Sequence, residues 1–343
     1  MQITFPVSTQ PLTRFLSIVN LNESVFSRTD FQVHIGNQEF IYGLRYAPIG
    51  SAINTELKDM IEIGLNGTNQ HPLYTNLHNI LNAENGLETI ALTLPGHLGD
   101  RIIRPLSEFK DYSLEYYADV ITKSVVEIAT MNPNKRIVIN GHSMGGRLAF
   151  MVMLNIKRSN KYAYKKAYKQ VLGIVANGSS DMVRATFFSA VSVVASLPEL
   201  AAGYFVAKIP QALFRGESHT EDQTERKRLE FCMKLAETDY ESGRAIIQLG
   251  LPYPDNFRPI LSLNELKGKK ILIIYYSNDP MIKQSTKNET VKLFESSGAD
   301  VNLITLQGTA HNRISTHPEE IVKAKLNWLL VTQKLEGKKF QYN

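Results

Sequence analysis

The residues best suited to chemistry form a short stretch near the middle of the chain, Gly141-His142-Ser143-Met144-Gly145. It fits G-x-S-x-G, directly after the apolar run Ile137-Val138-Ile139 and before a helix-periodic stretch opening at Gly146. A serine on such a sharp strand-to-helix turn has its hydroxyl pushed into the open, and glycines two positions to either side leave room for backbone that a side chain would block. The helix that follows aims free N–H groups at the same place, which favours negative charge developing there. The chemistry this suits is nucleophilic attack by Ser143 on a carbonyl.

A serine hydroxyl attacks poorly at neutral pH unless a base takes its proton. In a strand–serine–helix arrangement the partners follow in the chain order serine, acid, histidine, which leaves His219, His311 and His317. His311 closes Gln307-Gly308-Thr309-Ala310-His311, right after the last strand-like run, where a parallel sheet gathers its functional loops. His317 precedes Pro318 at a helix start and reads as a flanking residue. The general base is therefore His311. The acid must reach the imidazole from its far side, fixing the tautomer and stabilising the imidazolium. Asp279 fits, in Tyr276-Ser277-Asn278-Asp279-Pro280 just past the run Ile271–Tyr275. Asp181, after Asn177-Gly178, is the alternative acid one strand earlier.

The oxyanion formed on attack needs two N–H donors, one from the residue after the nucleophile and one from a loop after an earlier strand. Met144 supplies the first. Leu65-Asn66-Gly67-Thr68 is the loop for the second, with Gly67 permitting the turn and Thr68 N–H as the donor.

These residues require an α/β scaffold, and the chain alternates short apolar runs with longer helix-periodic stretches, the pattern of a mostly parallel sheet wrapped by helices. Phe31–His34 and Phe40–Tyr46 flank Gly36-Asn37, a hairpin signal that makes the first strands antiparallel. The runs at 61–65, 89–94, 136–139, 171–176, 271–276 and 301–305 are rich in Ile, Val and Leu and form the centre of the sheet. Leu114, Tyr117, Ala118, Ile121, Val125 and Ile128 lie on one helix face, with Ser113 to cap it and Pro133 to stop it. Further helices are expected at 73–81, after Ser143, at 287–294 closed by Gly298, and at 318–330.

The regular beat breaks once, from about Asp181 to Ser262, where helical and polar stretches carry no strand followed by a crossover. The expected organisation is a core in two parts, 1–180 and 263–343, with a helical cap inserted over 181–262. The cap is rich in apolar residues, and Phe187, Phe188, Val191, Val194 and Tyr204 are read as the lining of a substrate pocket.

The series Leu65-Asn66-Gly67, Leu94-Pro95-Gly96-His97, Gly-His-Ser-Met-Gly-Gly, Asn278-Asp279-Pro280 and Gly308-Thr309-Ala310-His311 resembles the α/β-hydrolase superfamily, in the branch of capped esterases, lactonases, carbon–carbon bond hydrolases and prolyl aminopeptidases. The resemblance runs from about Phe31 to Leu330 and implies the α/β-hydrolase fold, a Ser-His-Asp triad and no cofactor or metal. The chain departs from the common pattern at Asn66, where a histidine is usual before the oxyanion glycine, and at Thr68, where a bulky apolar residue is usual. The expected substrate is a carboxylic ester or thioester with a hydrophobic acyl group. An aminopeptidase, a carbon–carbon bond hydrolase and a non-hydrolytic ligand receptor on the same fold are the alternatives.

Composition bounds the remaining possibilities. A lone cysteine, Cys232, excludes an intramolecular disulfide and any cysteine-based metal site. The net charge of +5 is spread out and gives no reason to expect a nucleic-acid partner. Lys157, Arg158, Lys161, Lys165, Lys166 and Lys169 form a basic stretch without an acid. It is read as a solvated helix end and loop, with a phosphorylated ligand, or association to an anionic membrane surface there or through the cap, as the alternatives. The opening Met1–Pro6 lacks the n-region and h-region of a secretory signal, and no run is long enough for a transmembrane segment, so a cytoplasmic location is expected.

Overall fold

The structure, a computed structural model, describes residues 25–36, 39–50, 56–67, 72–94, 114–179, 264–277, 279, 282, 284–307, 311, 314 and 318–340. The apolar runs become strands β1 (Phe26–Gly36), β2 (Glu39–Pro48), β3 (Met60–Leu65), β4 (Glu88–Leu92), β5 (Arg136–His142), β6 (Val171–Asn177), β7 (Lys270–Tyr276) and β8 (Asp300–Leu306). They join in one sheet in the order β1-β2-β4-β3-β5-β6-β7-β8. The hairpin pairs β1 with β2 antiparallel, from Phe26↔Pro48 to Gly36↔Glu39, and β2 pairs antiparallel with β4. All the other pairings are parallel.

Helices α1 (Asn76–Glu84), α2 (Leu114–Met131), α3 (Met144–Arg158), α4 (Tyr162–Gln170), α5 (Gln284–Ser296) and α6 (Glu319–Phe340) cover both faces. Successive strand residues point to opposite faces, so Ile61, Ile63, Leu65, Ile137 and Ile139 pack with the apolar stripes of α2 and α3. On the other face Val138, Leu272 and Ile274 pack with Ile321, Val322, Leu326 and Leu329 of α6. The face of α2 marked by Leu114, Tyr117, Ala118, Ile121, Val125 and Ile128 is buried throughout, and the helix ends at Met131, two residues before Pro133.

Three expectations need correction. The last strand-like run is an edge rather than part of the centre. Among the described residues β8 has a neighbour on one side only, and Leu303 is 48% exposed, because a strand at the end of a sheet must leave residues uncovered whatever their type. The basic stretch is not a helix end followed by a loop. Lys157 and Arg158 close α3, and Lys165, Lys166 and Lys169 ride on a second helix, α4, whose Tyr162 is 84% exposed. Lys157 and Lys269 both lie over the ring of Tyr168, so the aromatic residues give this short helix its hold on the body. The last helix also runs on to Phe340, ten residues past the expected end, since Val331–Phe340 holds no proline and its one glycine, Gly337, costs only about 1 kcal/mol against alanine.

The expected cap over 181–262 and the cap at Ser113 lie outside the described residues. Among the described residues no helix is long and apolar enough to cross a membrane.

Candidate active site

Ser143 occupies the turn between β5 and α3 with φ 52° and ψ −122°. Among the described residues only Asn264 shares a positive φ without being glycine. A side chain in that region costs about 1–3 kcal/mol, and the surroundings hold it there. Ser143 N–H donates to Asn177 C=O at 3.0 Å, and Ser179 Oγ donates to Ser143 C=O at 2.9 Å, so the end of β6 grips the turn on both its polar groups. The flanking glycines are obligatory by contact: a Cβ at Gly141 would collide with the backbone of Gly145, and one at Gly145 with the carbonyl oxygens of Leu65 and Asn66. A Cβ at Gly146 would strike the Ser179 hydroxyl that holds Ser143.

Although their Cα positions are separated by 168 residues in sequence, His311 Nε2 lies 3.1 Å from Ser143 Oγ. On the other side of the ring, Nδ1 lies 2.9 Å from Asp279 Oδ2. A carboxylate can only accept, so Nδ1 carries the proton and the hydroxyl of Ser143 donates to Nε2. Asp279 and His311 are buried, at 7% and 6% exposure. The loop bearing Asp279 is tied to β7, Asp279 N–H reaching Tyr276 C=O at 3.4 Å. The buried ammonium of Lys287 on α5 donates to that same Tyr276 carbonyl at 2.6 Å, pinning the strand end from the other side.

His142 supports His311 from below. Its Nε2 donates to the backbone carbonyl of His311 at 3.1 Å, and the two rings lie 5.3 Å apart. Burial, and then the neighbouring His311, push the His142 imidazole down to about 3, so it is neutral near pH 7. The spacing pattern marks its position only as a variable one, and sequence reasoning missed it. The arrangement can therefore deliver a proton from Ser143 to His311 while holding the resulting imidazolium against a carboxylate.

The remaining expected residues divide in two. Met144 is the first residue of α3, directly after the nucleophile, so its backbone faces the same turn. Thr68, the alternative acid Asp181 and the pocket residues Phe187, Phe188, Val191, Val194 and Tyr204 lie outside the described residues, as do His219 and His317.

A mostly parallel sheet with a strained serine at the top of a central strand and histidine and aspartate on later loops is the architecture of α/β hydrolases. Residues 65–324 match the model of the alpha/beta hydrolase family, and the chain belongs to that family. Solved structures agree on the fold. A putative lipase from Acinetobacter baumannii AYE superimposes with a TM-score of 0.65 at 15% identity, covering 97% of this chain and 99% of its own. A thermophilic esterase from Thermogutta terrifontis gives 0.60 at 14% identity, over 90% and 99%. The epoxide hydrolase CorEH gives 0.59 at 12% identity, over 88% and 98%. No curated protein matches the sequence.

Proposed function

We propose that this chain is a serine hydrolase cleaving a carboxylic ester or thioester with a hydrophobic acyl group, through a Ser143–His311–Asp279 triad and an acyl-enzyme. The observation that carries the reading is the unbroken hydrogen-bonded line from Ser143 Oγ through the two nitrogens of His311 to Asp279. Ser143 Oγ bonds to the carbonyl carbon as its proton passes to His311 Nε2, and the oxyanion is held by the N–H groups of Met144 and Thr68. The intermediate collapses, the C–O or C–S bond to the leaving group breaks, and the imidazolium protonates the departing oxygen or sulfur. Water then loses a proton to His311 and attacks the acyl-enzyme, releasing the acid and restoring Ser143.

The hydrophobic acyl group is proposed from the apolar sequence of 181–262, read as a cap over the site. If the cap lines an acyl pocket, each methylene added to the substrate should contribute up to about 0.8 kcal/mol, a few-fold in kcat/KM, until the pocket is full. Specificity constants for p-nitrophenyl esters from acetyl to dodecanoyl are expected to climb and then level off at a medium chain. Val194→Asp is expected to flatten the series while sparing the acetyl ester. A wild-type series that is flat or falls from acetyl onward, with faster cleavage of an aminoacyl amide, would overturn the substrate class.

A further inference from the structure

The sheet face that packs against α1 and α6 carries a cluster of buried polar groups that the reaction above does not use. Glu62 in the middle of β3 and Lys325 of α6 form an ion pair with neither side chain exposed at all, at 0% each. Asn140 of β5 and Asn82 of α1 donate to Glu62 Oε1 at 2.9 and 3.0 Å. Lys325 Nζ also donates to His78 Nε2 at 2.9 Å, which puts the imidazole proton on Nδ1, and Nδ1 donates to Asn79 Oδ1 at 3.1 Å. Burial and then the neighbouring ammonium push His78 down to about 4, which keeps it the neutral acceptor that this line needs.

From α1 the line continues towards the site. Asn79 Nδ2 donates to Thr75 Oγ1 at 3.3 Å, and the Thr75 hydroxyl donates to Asn66 Oδ1 at 3.1 Å, with the Pro72 carbonyl a longer second acceptor at 3.4 Å. Every step passes from donor to acceptor in one direction, from the buried ammonium to the loop after β3. That loop touches the serine turn. Leu65 pairs with Gly141, and the carbonyls of Leu65 and Asn66 abut Gly145 so closely that no side chain fits between.

Stability alone does not account for the line. A buried ion pair is often no more stabilising than apolar residues of the same volume. Asn66, 3% exposed, leaves its Nδ2 buried with no acceptor among the described residues, a cost that an apolar residue would avoid. We propose that Asn79, Thr75 and Asn66 form a positioning relay, anchored through His78 on the Glu62–Lys325 pair, that sets the Leu65–Gly67 loop at the spacing from the serine turn that oxyanion stabilisation requires. This rests on the serine-hydrolase reading, and none of the three residues is asked to touch the substrate.

The test is a double-mutant cycle on Thr75→Val, which keeps the shape and removes the hydroxyl, and Asn66→Ala at the other end of the same bond. With p-nitrophenyl acetate, each folded variant is expected to lose roughly ten- to a hundredfold in kcat, the scale of a small misplacement in a catalytic site, with KM within about twofold. The double variant should lose no more than either single one, and Thr75→Ser should regain most of the rate. Labelling of Ser143 by a fluorophosphonate should slow in parallel. Should Thr75→Val fail to fold, Asn66→Ala against Asn66→Ala/Thr75→Ser keeps the comparison. Unchanged kcat in the folded variants, or losses that multiply in the double variant, would overturn the relay. A wild type that turns over no ester and takes no label would instead overturn the hydrolase reading beneath it.

Discussion

Ser143→Ala is expected to lower ester turnover by about three to six orders of magnitude, because the members of such a triad act as one unit and the loss of the nucleophile removes the covalent route altogether. The fold should survive. Ser143 is held by its backbone, through Asn177 C=O and Ser179 Oγ, and alanine keeps both contacts. Ser143→Gly should be as inactive but more stable, since glycine adopts φ 52° without the steric cost that serine bears. Asp279→Asn should lose about 10⁴-fold, as the amide would favour the wrong tautomer of His311. Asp181→Asn should stay near wild type. Steady-state rates on one ester, with urea midpoints for each variant, check the set. Residual activity of Ser143→Ala near wild type, or a reversed ranking of the two aspartates, would contradict it.

The second large effect is on stability in acid. His78 and His142 are buried and neutral, pushed from the ordinary 6.5 to about 4 and about 3. In the unfolded chain both take up protons near pH 6.5, whereas the folded protein stays unprotonated at these sites until pH approaches 4. The unfolded state therefore binds more protons throughout that window, and stability falls as pH falls through it. Each histidine contributes about 1.4 kcal/mol per pH unit, so the two together should remove a large part of an ordinary domain's stability between pH 6.5 and 4. Urea midpoints at pH 7, 6 and 5 should drop steadily, and replacing His142 with Gln should roughly halve the slope. A midpoint flat from pH 7 to 5 would mean that these imidazoles are hydrated or already charged in the fold.

The outline of the scaffold was legible because it depends on local pattern. The strand runs, the hairpin at Gly36-Asn37 and the apolar face of α2 follow from side-chain period and turn chemistry. The juxtaposition of Ser143, His311 and Asp279 was legible for a related reason, since each stands on a loop just past a parallel strand and such a sheet delivers those loops to one edge. The buried polar cluster was not read, though signals were present. Glu62 interrupts an otherwise apolar central strand, and Lys325 sits inside the stripe of α6 formed by Ile321, Val322, Leu326 and Leu329. A charge within an apolar stripe demands a buried partner, but spacing cannot say which one when the two are 263 residues apart in sequence. His142 was hidden by its place in the motif, and edge position, as for β8, is a property of the whole sheet that no local run encodes.

The central claim is that Ser143 is a nucleophile activated by His311. The most direct test treats the intact folded protein with a fluorophosphonate probe at pH 7.5 and maps the adduct by mass spectrometry of its peptides. The account predicts one adduct, on Ser143, formed rapidly in the wild type, absent in Ser143→Ala and strongly slowed in His311→Ala and Asp279→Asn. A folded wild type that takes no label, or takes it on a residue other than Ser143, would contradict the account.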